Sequence, residues 1–311
     1  MSTEPRRKVV VTGATGFLGS HIAKALVEAG HEVIAAVRNP AKGAFLEAWG
    51  VRLATADLTD PASLVAAFRG ADAVVSNAAL GSNQGDMAAF ERVNCQGVRD
   101  LFDAAHAAGV GRVVHISSVA VYRTRLFAAM DETTRPYDPA TRRFNWSDAT
   151  TDWRYARTKT LSEGIAWERA KAHGLQLTTL RPGPIYGSRD DKATAKLASQ
   201  LRAARVRFVP TVGVPWVHAG DVAAATRMAL TRAESIDKAY NIAGPPVSQA
   251  RFMRAMRRAL SARGETRLAR LIPLPVPVWV RYDARAAERD LGFSSRAIED
   301  GLAEAFGPST S

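Results

Sequence analysis

Hydrophobic and polar positions follow two periods through the first 180 residues. Short apolar runs rich in β-branched residues predict strands, and apolar residues that recur every three or four positions predict helices. The predicted strands are Lys8–Thr12, Glu32–Val37, Val51–Thr55, Ala73–Ser76, Val113–Ser117 and Leu177–Arg181. The predicted helices are Leu18–Glu28, Pro61–Phe68, Met87–Ala108 and Trp153–His173. This regular alternation indicates an α/β fold with a doubly wound parallel sheet.

After Arg181 the alternation becomes irregular, because proline and glycine interrupt the apolar runs. Thr211–Trp216 is rich in both residues, and Leu271–Val280 contains three prolines, too many for a helix. A predicted helix at Val217–Leu230 and a predicted strand at Ala239–Ala243 are expected to rejoin the sheet. We therefore expect a main domain of residues 1–180, rejoined by about 217–243, and a smaller, discontinuous lobe of residues 181–216 and 244–311.

Composition limits the class of protein. The 311 residues are 47% hydrophobic, enough for a large core, and no run of eighteen apolar residues predicts a membrane span. The short polar stretch before the first strand predicts no signal peptide. Cys95 is the single cysteine, which excludes an internal disulfide and favours a cytoplasmic protein. Its helical surroundings predict a small buried residue rather than a nucleophile.

The formal net charge of +12 is compatible with a nucleic acid, an anionic membrane surface or acidic small molecules as partners. Seven arginines between Arg251 and Arg270 are interleaved with apolar residues, which predicts an amphipathic helix with a solvated basic face. Contact of this helix with a membrane surface or an anionic partner is the alternative. No zinc-finger spacing and no RNA-binding aromatic signature occurs, so neither a nucleic-acid partner nor a metal is predicted.

A glycine-rich turn, Thr12-Gly13-Ala14-Thr15-Gly16-Phe17-Leu18-Gly19, follows the first predicted strand. The first glycine permits a tight turn, the second a close approach of a ligand, and the third close packing of helix on strand. The free N–H groups of the helix N-terminus suit a pyrophosphate. A structural turn without a ligand is the alternative, but the position between strand and helix favours a dinucleotide. Its predicted contacts are Gly13, Thr15, Gly16, Phe17, Leu18 and Gly19.

The end of the second predicted strand bears on the choice of dinucleotide. An NAD site has a carboxylate here for the ribose 2′-hydroxyl, whereas this strand ends in Arg38, with Lys42 one turn later. A guanidinium binds a 2′-phosphate, so we predict NADP(H) rather than NAD(H); a mere surface arginine is the alternative. Asp57 either accepts from the adenine amine or caps a turn. The remaining predicted contacts beyond the third and fourth strands are Leu58, Asn77, Ala78 and Ala79.

Tyr155 and Lys159 are four positions apart, on one face of the predicted helix Trp153–His173. A free tyrosine has a pKa of about 10, and a neighbouring ammonium favours its phenolate. The pair suits proton transfer at an alkoxide during hydride transfer, and Lys159 can also hold the cofactor ribose. Tyr-x-x-x-Lys alone is common by chance. It becomes specific beside the glycine turn and Ser118, which follows the strand Val113–Ser117.

Together these motifs resemble those of the extended short-chain dehydrogenase/reductases, in the NAD-dependent epimerase/dehydratase group. The resemblance covers nearly the whole chain. Its segments are Thr12–Gly19, Asp57-Leu58, Asn94 with Gly97, Ser117–Tyr122, Tyr155–Lys159, Arg181–Gly187, Trp216–Ala223, Tyr240–Gly244 and Arg281–Phe293. It implies a Rossmann fold with Tyr155 as acid/base and Lys159 as its partner. It further implies that Ser118 polarises the substrate and that Asn94 anchors a relay water.

The resemblance also bears on the surroundings of the site. Pro182 and Gly183 are expected to line the nicotinamide, whereas His218 and Asp221 are expected to be structural. Members are often homodimers through two helices of each subunit, one of which carries Tyr155. The long connection Arg123–Asp152 contains aromatic residues and arginines, and it is expected to be a lid over the substrate or an elongated surface loop.

Departures from the sugar-nucleotide members narrow the substrate. Thr211–Pro215 lacks the arginine, and Gly183-Pro184 lacks the asparagine, with which those members commonly hold a nucleotide. Val37–Pro40 is similar to the NADP-using dihydroflavonol reductase-like members, and Leu271–Val280 is similar to the hydroxysteroid dehydrogenase branch. Both imply a carbonyl or secondary alcohol on a small or moderately apolar molecule.

The leading hypothesis is therefore an NADP(H)-dependent oxidoreductase that transfers a hydride between the nicotinamide and such a carbonyl or alcohol. One alternative is a sugar-nucleotide epimerase or dehydratase that retains its NAD(P). The other is a dinucleotide sensor without catalytic activity. The intact Ser118, Tyr155 and Lys159 disfavour the sensor, since sensing needs no proton donor.

Overall fold

The computed structural model describes residues 5–81, 84–125, 128–140 and 153–306. A seven-stranded parallel sheet forms its centre, in the order β3-β2-β1-β4-β5-β6-β7. The strands are β1 (Lys8–Thr12), β2 (Glu32–Val37), β3 (Arg52–Thr55), β4 (Ala73–Ser76), β5 (Arg112–Ile116), β6 (Gln176–Pro182) and β7 (Lys238–Ile242). The predicted doubly wound sheet is confirmed, and β7 rejoins it beside β6 as expected.

Helices cover both faces of the sheet. They are α1 (Phe17–Glu28), α2 (Ala44–Glu47), α3 (Pro61–Phe68), α4 (Met87–Phe90), α5 (Gly97–Ala107), α6 (Trp153–His173), α7 (Ala193–Arg202), α8 (Ala219–Thr231), α9 (Gln249–Ala262), α10 (Arg285–Leu291) and α11 (Ile298–Phe306). In the part of the chain that the structure describes, no helix is long and apolar enough to cross a membrane.

The alternation of side chains along each strand divides the core in two. Val9 and Val11 of β1 pack in one apolar cluster, with α1 and α8, whereas Val10 packs in the other, with α3, α5 and α6. All three valines are fully buried. A strand buried on both faces explains why the predicted strands are continuous apolar runs rather than alternating ones.

The predicted helix Met87–Ala108 is interrupted in the structure. A π-helical segment, Glu91–Gln96, separates α4 from α5. The side chain of Asn94, inside this segment, accepts a hydrogen bond from Leu80 N (2.7 Å) and donates one to Leu80 O (3.1 Å). These two bonds tie the widened turn to the loop after β4, which is a tertiary constraint that helical periodicity does not report.

A third apolar cluster lies outside the sheet and includes Tyr186, Trp216 and Phe252. It draws on α7, α9 and α11 and on short strand pairs. These pairs are Val206–Pro210 with Arg270–Leu274, Gly213–Val214 with Val247–Ser248, and Ile185–Tyr186 with Val217–His218. A further pair, Ala129–Met130 with Arg281–Tyr282, belongs to a separate small apolar cluster around Tyr122. As expected, Leu271–Val280 contains no helix. Of the predicted lid, residues 126–127 and 141–152 lie outside the described residues.

Candidate active site

A cavity of about 1860 Å³ runs past the carboxyl ends of the parallel strands. In doubly wound folds this edge of the sheet binds the ligand. Most residues predicted for the site line this cavity: Gly13, Thr15, Gly16, Phe17, Leu18, Gly19, Arg38, Asp57, Leu58, Asn77, Ala78, Ala79, Ser118, Tyr155, Lys159, Pro182 and Gly183. Asn94 and Lys42 do not line it.

The glycine turn packs tightly against its surroundings. Gly13 has a φ of +67°, a left-handed conformation that glycine adopts without strain. A Cβ on Gly19 would stand 2.1 Å from the carbonyl oxygen of Gly13, so only glycine fits there. The first hydrogen bond of α1 runs from Ser20 N to Gly16 O. The amides of Phe17, Leu18 and Gly19 come before it and therefore have no partner within the helix. These amides lie at the positive end of α1 and face the cavity region.

Thr12 fixes the loop after β4, a role that the sequence pattern does not reveal. Its hydroxyl donates to Val75 O and accepts hydrogen bonds from the backbone amides of Asn77 (3.0 Å) and Ala78 (3.1 Å). The amide group of Asn77 in turn donates to the carbonyls of Thr12 and Gly13. The glycine turn and the Asn77–Ala79 loop are thus held together as one wall of the cavity.

At the end of β2, the side chain of Arg38 is exposed at the cavity wall and has no acid partner among the described residues. Lys42 is exposed in the short turn Pro40–Gly43, away from the cavity. Asp57 caps a turn, which is one of its two predicted roles; the contact with adenine stays a prediction. One carboxylate oxygen accepts from the amide and hydroxyl of Thr59 (2.8 and 2.9 Å), and the residue also lines the cavity.

Tyr155 and Ser118 both line the cavity, and the Ser118 hydroxyl is near enough to the phenol to lower its pKa. Ser118 Oγ also accepts from Ala120 N (3.1 Å), which fixes the hydroxyl at the end of β5. Burial raises the pKa of Tyr155, and the nearby Ser118 hydroxyl offsets this only in part. The expected lowering of this pKa by Lys159 is therefore not found. Without a bound cofactor, the phenol of Tyr155 is protonated at neutral pH.

Lys159 is buried on the same face of α6 as Tyr155, and its ammonium donates to Ile116 O (2.7 Å). Burial lowers its pKa to about 8, although the carboxylate of Glu163 opposes the shift. The ammonium is thus held at the cavity wall by a backbone carbonyl, but its proton is lost more easily than that of an ordinary lysine.

A buried polar network beneath the site was not foreseen from the sequence. Glu163 forms an ion pair with Arg181 and accepts from the hydroxyl of Ser117. Arg181 also donates to the phenol oxygen of Tyr122 (2.6 Å), which donates to Asn241 Oδ1 (2.9 Å). The only local signal is that Glu163 lies one turn after Lys159 on the same helical face. The other members of the network come from three other segments of the chain, which contain Ser117 and Tyr122, Arg181, and Asn241.

Asn94 is fully enclosed rather than open to the cavity. Besides its two bonds to Leu80, it donates to the hydroxyl of Thr158 (3.3 Å). His218 and Asp221 also lie off the cavity, and His218 Nδ1 caps α8 by accepting from Gly220 N. Asp221 accepts from the backbone and guanidinium of Arg296. Cys95 is half-buried, and burial raises the pKa of its thiol to about 11, unlike that of an activated nucleophile.

Beyond Tyr155, the wall of the cavity is mostly apolar. The segment after residue 275 is extended, so alternate side chains point inward. The apolar wall is formed by Val212, Val214, Trp216, Val276, Val278, Val280 and Tyr282. Two lysines of the α7 region, Lys192 and Lys196, line the same cavity. Their ammonium groups have no hydrogen-bond or ion-pair partner among the residues that the structure describes.

A model of the NAD dependent epimerase/dehydratase family matches residues 9–243, which include all of the central sheet except its first residue, Lys8. The chain belongs to this family. Membership confirms the resemblance to the extended short-chain dehydrogenase/reductases that the motifs suggested. The glycine turn and Ser118, Tyr155 and Lys159 lie inside the matched region.

Relatives in this family include reductases by name. Cinnamoyl-CoA reductase 1 of Oryza sativa subsp. japonica is 32% identical over 271 residues, 81% of this chain and 75% of that protein. The 2-alkyl-3-oxoalkanoate reductase of Stenotrophomonas maltophilia (strain K279a) is 31% identical over 206 residues, 65% of this chain and 58% of that protein. The match thus spans little more than half of the Stenotrophomonas protein.

The fold is shared with solved members. The Bordetella bronchiseptica enzyme WbmH, solved in complex with NAD⁺, superposes with a TM-score of 0.77 at 21% identity. The superposition covers 97% of both chains. Within the described ranges of the present chain, no group of three or more histidine, cysteine or acidic side chains could hold a metal ion.

Proposed function

We propose that the protein is an NADP(H)-dependent reductase of a ketone or aldehyde, or the corresponding alcohol dehydrogenase. The observation that carries the proposal is one continuous cavity. It is lined by the glycine turn and Arg38, by Ser118, Tyr155 and Lys159, and by an apolar wall. A dinucleotide site and a proton donor thus share one space with room for an apolar molecule.

The residues present fit a dinucleotide phosphate. The free amides of Phe17, Leu18 and Gly19 would hold the pyrophosphate, and the left-handed Gly13 leaves the backbone accessible. The unpaired guanidinium of Arg38 would bind the 2′-phosphate of NADP(H), and Asp57 would stand beside the adenine. Lys159 would donate to the ribose hydroxyls, with Pro182 and Gly183 against the nicotinamide. When bound, the cofactor supplies or accepts the hydride.

The chain itself handles the proton. Ser118 would donate a hydrogen bond to the carbonyl oxygen of the substrate and so favour charge on that oxygen. Tyr155, whose raised pKa keeps it protonated, would give its proton to the same oxygen as the alcohol forms. Asn94, enclosed by Leu80 and Thr158, would act by holding the π-helical turn next to α6 rather than by touching the substrate.

The substrate proposed is a carbonyl compound with an apolar body. The valine-rich wall favours apolar groups, and the unpaired Lys192 and Lys196 would favour a carboxylate or phosphate at one end. The names of two relatives are compatible with such a substrate: an oxoalkanoate carries a ketone and a carboxylate, and cinnamoyl-CoA is an apolar acyl thioester with an anionic part. The segments that supply this wall and α7 would form the substrate-binding lobe.

The test is NADPH oxidation with a panel of ketones and aldehydes, some carrying a carboxylate. Tyr155→Phe should lower kcat by at least about 100-fold, because general acid catalysis contributes that much, while NADPH binding by fluorescence titration stays near wild type. Tyr240→Phe is the control, since Tyr240 does not line the cavity and its hydroxyl donates to Asp290 instead. It should keep its activity.

Two results would contradict the proposal. If wild type turns over sugar nucleotides without net NADPH consumption and retains its cofactor through purification, the epimerase alternative holds. If wild type binds NADPH but oxidises it with none of the panel, the sensor alternative gains.

A further inference from the structure

An exposed apolar ribbon lies on the outside of the substrate cavity. Its two strands, Val206–Pro210 and Arg270–Leu274, pair in parallel and continue to Gly213 and Trp279, where Gly213 N donates to Val278 O (2.8 Å). Four of the five large hydrophobic side chains that are exposed in the described residues belong to it. They are Val206 (47% exposed), Phe208 (60%), Leu274 (44%) and Trp279 (38%).

The register explains why these side chains form one face. Val206 and Phe208 are two positions apart and therefore point to the same side of the strand. Arg270 pairs with Val206 and Leu274 with Pro210, so Leu274 shares that side. Val209 points the other way and is buried in the third apolar cluster. The outer face is thus apolar although nothing in the described part of the chain covers it.

Positive charge surrounds this face. Residues 202–210 and 263–274 contain six arginines and a single acidic residue, Glu265. Glu265 is already held by Arg202 in a bidentate ion pair at 2.7 and 2.8 Å. The other exposed arginines at the ribbon, without an acid partner among the described residues, are Arg205, Arg263, Arg267 and Arg270.

The neighbouring basic helix, α9, lacks this combination. Its apolar side is buried in the third cluster, and two of its arginines, Arg251 and Arg258, pair with Glu299. An exposed apolar face rimmed by unpaired arginines instead matches an anionic lipid surface. Its apolar side chains can enter the acyl boundary while the arginines contact phosphates.

We propose that this ribbon docks the protein onto the surface of an anionic lipid bilayer. The reverse side of the same segments supplies Val212, Val214, Val276 and Val278 to the cavity wall. Docking would therefore hold one wall of the apolar cavity close to the phase in which apolar molecules concentrate. The binding itself depends only on the surface and is independent of the reaction at Tyr155.

The experiment is co-sedimentation of the full chain with vesicles of phosphatidylcholine and phosphatidylglycerol (3:1), and with pure phosphatidylcholine. Wild type should bind the mixed vesicles and release them at high salt, because arginine–phosphate attraction is screened. Phe208→Ser/Leu274→Ser should lower the partition coefficient by at least about 10-fold, since two apolar side chains no longer enter the boundary. Arg263→Ala/Arg267→Ala should lower it by about 30-fold.

A matched control distinguishes a local surface from overall charge. Arg69→Ala/Arg232→Ala removes two exposed arginines at the ends of α3 and α8, which have no acid partner among the described residues, and should leave binding nearly unchanged. Equal loss in this control would overturn the proposal, as would unchanged binding of the Phe208→Ser/Leu274→Ser variant.

Two further outcomes also overturn it. One is that the wild-type protein does not bind anionic vesicles. The other is a wild-type dimer by light scattering that Phe208→Ser/Leu274→Ser dissociates without any vesicle binding, which would make the ribbon a contact between copies. Thermal unfolding of each variant checks that these exposed positions do not affect folding.

Discussion

At the scale of single residues, Arg38 decides the predicted choice of cofactor. Its guanidinium is exposed at the cavity wall and has no acid partner in the described chain. Wild type should have a higher kcat/KM with NADPH than with NADH, and Arg38→Asp should reverse the preference. A carboxylate repels the 2′-phosphate and accepts from a 2′-hydroxyl. Steady-state kinetics with both cofactors measure this; an NADH preference in wild type would exclude NADP(H) selectivity.

The lowered pKa of Lys159 predicts that activity falls at alkaline pH. Because burial lowers its pKa to about 8, the ammonium is present below this value and is lost as the pH rises through it. We expect kcat/KM to fall about tenfold per pH unit above pH 8, since a neutral amine neither holds the ribose nor supports charge at the site. A pH–rate profile between pH 6 and 10 tests this, and a flat profile to pH 10 would contradict it.

The lowered pKa of Lys159 also predicts how the unfolding free energy depends on pH. Between its folded pKa of about 8 and its ordinary value of 10.5, the unfolded chain binds the proton and the folded chain does not. The contribution of Lys159 to the unfolding free energy therefore rises with pH across this window. Urea denaturation of wild type and Lys159→Met at pH 7.5 and 9.5 separates this contribution from those of other groups.

At the scale of elements, the turn between β1 and α1 tolerates no side chain at Gly19. An added Cβ would meet the carbonyl oxygen of Gly13 at 2.1 Å, so the turn must shift. Gly19→Ala should lower the unfolding free energy by about 1–3 kcal/mol and weaken NADPH binding, because the helix N-terminus moves off the pyrophosphate. Chemical denaturation and fluorescence titration measure the two effects.

Gly164→Ala serves as the control for this prediction. Gly164 lies inside α6, and an added Cβ there meets nothing within 4 Å. It should leave cofactor binding unchanged and stabilise the protein by about 0.5–1 kcal/mol, because alanine is the better helix former. Equal effects of the two substitutions would show that close packing at Gly19 is unimportant.

The predicted helix Met87–Ala108 shows what hydrophobic periodicity cannot predict, because the structure interrupts this helix. Its apolar positions recur correctly on both sides of the π-helical segment Glu91–Gln96, so the sequence predicts one helix. The interruption depends on Asn94 reaching Leu80, fourteen positions away in another loop. Conversely, the strands of the sheet are predicted within one or two residues, because burial on both faces leaves a continuous apolar run.

At the scale of the whole molecule, the pair Glu163 and Arg181 connects the sheet with α6 and the segments around Tyr122 and Asn241. Both side chains are more than 90% buried. Arg181→Met should lower the unfolding free energy by about 3–5 kcal/mol, because it leaves a buried carboxylate without its partner. Urea denaturation measures this.

The exposed ion pair of Arg52 with Glu32 provides the matched control. Arg52→Met should cost less than about 1 kcal/mol, because water already solvates both charges. The double variant Glu163→Gln/Arg181→Met should be less unstable than the sum of its single variants. An additive result would argue against direct coupling of the buried pair.

The sequence by itself determined the parallel sheet, the glycine turn and the residues that follow each strand. These features are local: periodicity sets the element, and parallel strands bring their carboxyl ends to one edge. Only the tertiary structure decided which polar residues share the cavity. It enclosed Asn94, left Lys42 outside, and joined Glu163, Arg181, Tyr122 and Asn241 beneath Lys159. Those outcomes depend on strand register and long-range packing, which no local pattern encodes.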